Sequence, residues 1–245
     1  MTIYIGYDST SEGNRLTFEV CKRSIIKYNK KIKVLPLIKK DLINKGLYLR
    51  DESNKNFTPA STEFTYTRFL VPLLNNYKGV GLFCDSDFLF RTDIEEILSI
   101  YDETTAVMCV KHNQTTTSTT KFSGVQQSIY PKKNWSSLML FNCEHESCKN
   151  LNIRSISEES PEYLHRFMWC ADDLVGDIDY RWNYLVGQYD SKDAKAVHFT
   201  EGGPWRKEWY NGELSELFKD YEYANEWLSY LTNDELKKIQ GEIDD

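Results

Sequence analysis

Short apolar runs alternate with stretches of helical periodicity over the first 110 residues of the chain. Ile3-Tyr-Ile-Gly-Tyr7 is apolar throughout and stops at Asp8, the pattern of a parallel strand buried on both faces. Val20, Cys21, Ser24, Ile25 and Tyr28 then recur at helical spacing and predict one buried helix face. Ile32–Ile38 reads as a second strand that accepts Pro36 near its end. Residues 50–61 are polar and carry Pro59, which predicts a loop. Tyr66, Phe69, Leu70, Leu73 and Leu74 form a helical stripe, with Pro72 expected to distort the last turn. Gly79-Val-Gly-Leu-Phe-Cys84 is a third buried strand, stopped by Asp85-Ser86-Asp87. Phe88–Phe90 resumes an extended pattern, Asp93 caps a helix through Ile94, Ile97 and Leu98, and Thr105–Val110 is a fourth strand.

The later part is less regular. Residues 113–121 are polar without any hydrophobic period and predict a mobile loop. Ser137–Phe141 reads as a strand ending at Asn142, Pro161–Cys170 as a short helix, and Ala196–Phe199 as a last buried strand before Gly202-Gly203-Pro204-Trp205. From Glu213 onward a helical stripe comprises Leu214, Leu217, Phe218, Tyr221, Ala224, Trp227 and Leu228. The βαβα rhythm predicts an α/β fold, a mostly parallel sheet flanked by helices, with a helical C-terminal appendage on a single domain. In such sheets ligands bind where strands end, which is where Asp8 and Asp85–Asp87 fall.

A chain of 245 residues with 40% hydrophobic content is long enough for a full core, and its net charge of −7 argues against nucleic acid as partner. No stretch reaches the roughly 18–20 apolar residues of a membrane span, and Asp8 and Glu12 interrupt any signal-peptide pattern, so the expectation is a soluble, cytoplasmic protein. The six cysteines are scattered through apolar segments, as reduced core cysteines are. Cys143, His145 and Cys148 lie close together but lack a fourth ligand at zinc-site spacing.

Asp85 and Asp87 are the central chemical signal. Carboxylates at i and i+2 on an extended backbone point to the same side and repel unless a cation accompanies them. Hard divalent ions take such oxygen ligands, and one would neutralise charge on a departing diphosphate. His198, at the end of an apolar run, is a competent third ligand, and Gly202-Gly203 permits close backbone approach. Arg68, beside the Tyr66/Phe69 stripe, is placed to reach a carboxylate or a phosphate.

Taken in order, these segments resemble the GT-A glycosyltransferases, specifically the family of glycogenin and the lipopolysaccharide galactosyl- and glucosyltransferases, over most of residues 1–205. Ile3–Asp8 resembles the strand whose end, Tyr7 and Asp8 here, holds the nucleotide base and ribose. Thr65–Pro72 resembles the helix whose arginine, Arg68, contacts the donor, and Leu82–Asp87 the metal motif, with Ser86 on the donor side. Ser136–Asn142 resembles the strand lining the donor sugar. Ala171-Asp172-Asp173-Leu174 stands where the family has an Asp-Gln pair, and His198–Trp205 resembles the closing metal-and-diphosphate segment. The family's lysine before Pro-Trp is Gly203 here, which turns attention to Arg206 and Lys207 as the diphosphate's cation.

The resemblance implies a retaining transfer of hexose from a UDP-sugar to an acceptor hydroxyl of a carbohydrate, glycolipid or protein. It implies Mn²⁺, with Mg²⁺ as the alternative, on Asp85, Asp87 and His198. Asp172, Asp173 and Asn142 would orient the donor sugar at the reaction centre, and Gly202, Gly203 and Lys207 would face the diphosphate. Residues 1–210 would form the transferase domain and 211–245 a helical extension packed on it. Trp205, Trp209, Tyr210 and Trp227 would pack on the core rather than wall an acceptor. Two rivals of another kind are an inactive sugar-binding module and a nucleotidyltransferase. The latter is disfavoured because Asp8–Gly13 has one glycine and no lysine. A phosphatase opening on Asp-x-Asp is disfavoured by Phe88-Leu89 after the motif.

Overall fold

In the computed structural model the residues described are 1–51, 60–112, 131–189, 193–206, 209–210 and 221–241. Strand β1 (Thr2–Gly6) forms because its apolar side chains are buried on both faces, with Ile3 and Ile5 fully enclosed. Helix α1 (Glu12–Tyr28) starts where the Ser11 side chain accepts a hydrogen bond from Asn14 N, a terminal donor that the helix itself leaves unsatisfied. Its buried face is Leu16, Thr17, Phe18, Val20, Cys21, Ser24 and Ile25, while Tyr28 is 40% exposed and leaves the stripe expected to include it. β2 (Lys33–Leu37) lies at the edge of the sheet, where Pro36 costs no ladder bond to a further strand. α2 (Lys39–Asn44) follows, an element without an apolar period to announce it.

The stripe at Tyr66–Leu74 is two short pieces, a 3-10 turn at Thr67–Leu70 and helix α3 (Val71–Leu74). Pro72 sits in the first turn of α3, where its missing N–H is harmless, so it shapes the start of that helix and not its end. β3 (Val80–Cys84) and β4 (Phe88–Phe90) flank the Asp85-Ser-Asp87 segment. Asp93 does cap the next turn, accepting from Glu95 N, but that turn (Ile94–Ile100) is 3-10. β5 (Val107–Cys109) is shorter than the run Thr105–Val110, and β6 (Leu138–Asn142) begins one residue later than expected. Helices α4 (Ile153–Glu158) and α5 (Pro161–His165) precede three short strands, β7 (Val175–Asp177), β8 (Tyr184–Leu185) and β9 (Ala196–His198).

The large sheet has the order β2-β1-β3-β6-β5-β7, with β6 the one strand antiparallel to its neighbours. A small sheet, β4-β9-β8, stands beside it. One face of the large sheet is covered by an apolar cluster that includes Phe69, Phe83, Phe141 and Trp169, the other by one that includes Phe18, Ile25, Leu82 and Leu140. This is the mixed, mostly parallel α/β architecture that the rhythm of the sequence predicts.

The C-terminal stripe is not one helix. Residues 211–220, including Leu214, Leu217 and Phe218, lie outside the described part, as do residues 113–121 and most of the loop at 50–61. Beyond them, α6 (Ala224–Leu228) starts after Tyr223, whose φ is 63°, and α7 (Asn233–Gln240) starts with a capping box of Thr232 and Glu235. Trp227 and Ile239 pack against Leu16 and Val20 of α1, and Arg23 makes a two-pronged ion pair with Glu235 at 2.7 Å. Trp205 and Trp227 meet at a tilt within this cluster, 5.5 Å between ring centroids, and Trp209 meets Tyr221 edge-on at 5.0 Å, so these aromatics are core.

Candidate metal centre

The centre is built where two strands leave the large sheet and enter the small one. Asp85 N still donates to Ser137 O at 2.9 Å, which holds the chain in line with β6 as β3 ends. Ser86 is buried, its hydroxyl 2.9 Å from that of Thr17 on α1. β4 then pairs antiparallel with β9, Phe88 opposite His198, and Phe199 N donates to Asp87 O at 3.1 Å. The extended backbone turns Asp85 and Asp87 to one side, and the β4–β9 ladder delivers His198 to them.

The three residues each offer a ligand atom, and these atoms all lie within 4.8 Å of one another. His198 Nε2 is 3.3 Å from Asp87 Oδ1. On the other side of the ring, Nδ1 is 2.9 Å from Oδ1 of Asn183, a residue with no exposed surface. The Asn183 amide nitrogen donates to Ser137 Oγ at 2.8 Å, and that hydroxyl donates to Asn134 O at 2.7 Å. These partners orient the amide, so its oxygen faces His198 and the imidazole carries its proton on Nδ1. Nε2 is then a bare lone pair facing a carboxylate, an arrangement that repels until a cation sits between them. The donor set of two carboxylates and one imidazole, its tautomer fixed from behind, fits a divalent ion. Among the described residues this is the group of His, Cys, Asp and Glu with metal-site geometry. Cys143 and Cys148 are instead buried core thiols, and His145 caps a turn by accepting from Ser147 N.

Arg68 reaches a carboxylate, and it is Asp85, at 2.9 Å. Arg68 is 7% exposed, and its guanidinium donates to Ser136 O at 2.8 Å and lies 4.9 Å from the Phe83 ring centroid. Arg68 thus fixes one carboxylate of the centre on a buried cation. Ser136 Oγ in turn sits 2.9 Å from Nδ1 of His165, whose pKa is pushed down to about 3 by burial and by the nearby Arg68 and Arg50 charges.

Tyr7 and Asp8 follow β1, next to β3 in the sheet, on the same end as Asp85. Tyr7 stands edge-on to Phe18, and the buried Asp8 accepts from Thr10 N at 2.9 Å. Past His198, Gly202 has φ 113°, and a Cβ there would lie 3.1 Å from Arg206 Nε. A Cβ on Gly203 would come within 2.3 Å of the Trp205 ring. The glycines are therefore required by the chain's own Trp205 and Arg206 folding back over the turn. Lys207 lies outside the described residues.

Three expected site residues fall elsewhere. Because β6 runs antiparallel to β3, Cys84 pairs with Leu138 and Val80 with Asn142. Asn142 is thus at the far end of the strand from Asp85, and its amide donates to Glu103 O at 2.9 Å. Residues at the start of β6, Asn134 to Ser137, approach the centre instead. Asp172 and Asp173 occupy an exposed 3-10 turn at the entry of β7, and Leu174 beside them accepts from Ala106 N at 2.9 Å. They too lie toward the end of the sheet opposite Asp85, although Asp172 is ion-paired at 2.6 Å with Lys132 near the Asn134 turn. Asn183 and Ser137 had no chemical signal of their own; only the position of Asn183 between short strands would have drawn attention.

A search for matching family models finds none. Among solved structures, the fold is similar to the WbbM bifunctional glycosyltransferase (TM-score 0.59, 15% identity, 98% of this chain on 51% of that one). It is equally similar to the glycosyltransferase GlyE of Streptococcus pneumoniae TIGR4 (TM-score 0.59, 14% identity, 98% on 62%). A mutant of LgtC matches at TM-score 0.51 and 13% identity, over 95% of this chain and 97% of that one. The chain spans only about half to three-fifths of the first two, and such identities speak to the fold alone: it is the GT-A fold. Arabidopsis thaliana Protein CDI is 40% identical over 245 residues, covering 96% of this chain and 88% of that protein. By that identity and coverage, the chain belongs to the family of Protein CDI.

Proposed function

We propose that this chain is a metal-dependent retaining glycosyltransferase that moves a hexose from a UDP-sugar to an acceptor hydroxyl. The observation that carries the reading is the joined set Asp85, Asp87 and His198, with Asn183 holding His198 in the metal-ligating tautomer, on a GT-A sheet. Mn²⁺ or Mg²⁺ bound there would neutralise the charge of the departing UDP. Tyr7 and Asp8, at the exit of β1, are the candidates for base and ribose. Arg68 keeps Asp85 oriented and supplies positive charge beside the donor. For the diphosphate we assign Arg206, whose Nε is buried without a hydrogen-bond partner on the turn that follows His198. Lys207 is its neighbour in sequence and the second candidate. Of the sugar-orienting residues, Asp172 and Asp173 stay in the proposal through the Lys132 bridge to the Asn134 turn. Asn142 leaves it, since its strand carries it away. Residues 1–210 would carry the reaction and 211–245 brace α1, with a carbohydrate, glycolipid or protein as acceptor.

UDP release from a panel of UDP-sugars with Mn²⁺, with and without EDTA, tests the reading in wild type and Asp87→Ala. Release from one sugar, abolished by EDTA and by the substitution, is the expected result. The exposed placement of Asp172 and Asp173 favours one other reading, a nucleotide-sugar-binding module without turnover. That reading requires UDP and Mn²⁺ to bind with no release from any sugar. If neither ligand binds, both readings fail.

A further inference from the structure

The segment that carries Arg68 also reaches the exit of β1. Residues 62–68 are folded on themselves: Thr62 N donates to Thr65 Oγ1 at 3.0 Å, Thr65 N to Thr62 O at 3.2 Å and Arg68 N to Phe64 O at 3.4 Å. At one end of the segment Arg68 holds Asp85. Toward the other, Phe64 closes over β1, where a Cβ on Gly6 would lie 2.5 Å from the Phe64 ring. Glu63, its neighbour, crosses to the turn that follows β1. There Glu63 Oε2 accepts from Ser9 N at 2.6 Å and from Ser9 Oγ at 2.8 Å. Glu63 lies outside every segment that resembles the glycosyltransferases, and no motif points to it.

The other side-chain hydrogen bonds of this turn are local. Asp8 Oδ1 accepts from Thr10 N at 2.9 Å, Ser11 caps α1, and Arg15 on α1 donates to Ser9 O at 3.1 Å. Among the described residues, Glu63 is the side chain from beyond the turn and α1 that hydrogen-bonds it. Bonds to a carboxylate are stronger than those between neutral groups, and two onto one oxygen set a direction. The Ser9 N–H belongs to the planar peptide unit that joins Ser9 to Asp8, so holding that N–H holds the backbone on which the buried Asp8 is carried.

We infer that Glu63 is a positioning residue for the nucleoside end of the donor, acting through Ser9 to fix the turn that presents Tyr7 and Asp8. The inference rests on the nucleotide-sugar reading above and adds to it a residue that does not itself touch the donor. One short segment then serves both halves of that ligand. Arg68 steadies the carboxylate on the metal side, and Glu63 steadies the turn on the nucleoside side.

The test separates the two halves. Calorimetric titration with UDP in the presence of Mn²⁺ reads the whole site, and the EPR signal of Mn²⁺ titrated alone reads the metal half. Glu63→Ala should weaken UDP about three- to tenfold and leave Mn²⁺ affinity unchanged. Glu63→Gln keeps an acceptor without the charge and should rank between alanine and wild type. Ser9→Ala deletes the hydroxyl bond alone, so it should cost less than Glu63→Ala and nothing further when combined with it. A lower melting temperature with UDP affinity intact would make Glu63 a structural tie and overturn the inference. So would an equal loss of Mn²⁺ and UDP affinity, or losses from Ser9→Ala and Glu63→Ala that add in full. Wild-type protein that binds no UDP would remove the nucleotide-sugar reading itself, a result distinct from all of these.

Discussion

Replacing Asn183 by alanine probes the centre from behind, without touching a ligand. The side chain is fully buried and serves three neighbours: it accepts from His198 Nδ1 at 2.9 Å and donates to Ser137 Oγ at 2.8 Å and Asn134 O at 3.4 Å. Alanine leaves the His198 Nδ1–H buried without an acceptor, which costs about 1–3 kcal/mol. For a chain of this size that corresponds to a fall in Tm of roughly 2–4 °C per kcal/mol. The larger effect is on the metal. Without Asn183 the proton is free to move to Nε2, where it bonds Asp87 at 3.3 Å and blocks the coordinating lone pair. Loss of such a supporting partner lowers metal affinity about 10- to 100-fold.

The assay is the loss of the free Mn²⁺ EPR signal on titration, beside thermal melts of the same samples. Asn183→Asp restores an acceptor for Nδ1–H and should rank between wild type and alanine. An alanine variant that melts cooperatively and binds Mn²⁺ as tightly as wild type would refute the tautomer argument. It would also show that His198 is not a ligand.

Arg68→Met strips the buried cation from Asp85, and breaking a pair this enclosed costs about 3–5 kcal/mol in denaturant unfolding. Mn²⁺ should recover part of that loss by replacing the charge; a variant as stable as wild type would show the pair to be incidental. Gly13→Ala places a Cβ 2.5 Å from Trp205 O, a backbone atom that cannot swing aside, so it should destabilise by about 1–3 kcal/mol despite alanine's better helix propensity. A raised melting temperature would contradict the packing of α1 on that turn. Stability should also fall on acidification in two stages. The pKa values of His112 and His165 are both depressed from 6.5 to about 3, chiefly by burial, so their joint contribution is complete above pH 6.5 and is lost as pH falls toward 3. That of Glu235 is lowered from 4.5 to about 2, chiefly by its hydrogen bonds with Arg23, so its contribution is lost below 4.5. Urea midpoints measured across this range should show a smaller upper stage in His112→Gln than in wild type, with His165 supplying the remainder, and identical profiles would exclude His112 as a source.

The sheet was legible because its central strands are buried on both faces. Ile3–Tyr7 and Gly79–Cys84 are continuous apolar runs, and each is followed by an acidic residue, Asp8 and Asp85, at the same end of the sheet. What escaped was of two kinds. α2, β7 and β8 span two to six residues, too few for a period to show, and are held by tertiary packing. The C-terminal stripe was real as burial, with Ala224 and Trp227 enclosed, but one amphipathic period cannot reveal the break at Tyr223 or the fresh start at Thr232.

The distance of Asn142 from Asp85 has a different cause. Ser137–Phe141 has the same burial pattern read forward or backward, and hydrophobic periodicity carries no strand direction. Reading the run as a strand was sound, but Asn142 was named for the donor sugar on the resemblance of Ser136–Asn142 alone, which carries no strand direction. Because β6 is antiparallel to β3, the ligand end of that strand is its beginning, where Ser137 O holds Asp85 N and Ser137 Oγ holds Asn183. The reversed strand is what links the two halves of the centre. It anchors the backbone of the first aspartate on one side and, through Asn183, sets the tautomer of the histidine 113 residues later on the other, 198 − 85. A substitution at Ser137 should therefore perturb Asp85 and His198 together, whereas one at Asn142, bonded to Glu103 O at the other end, should perturb neither.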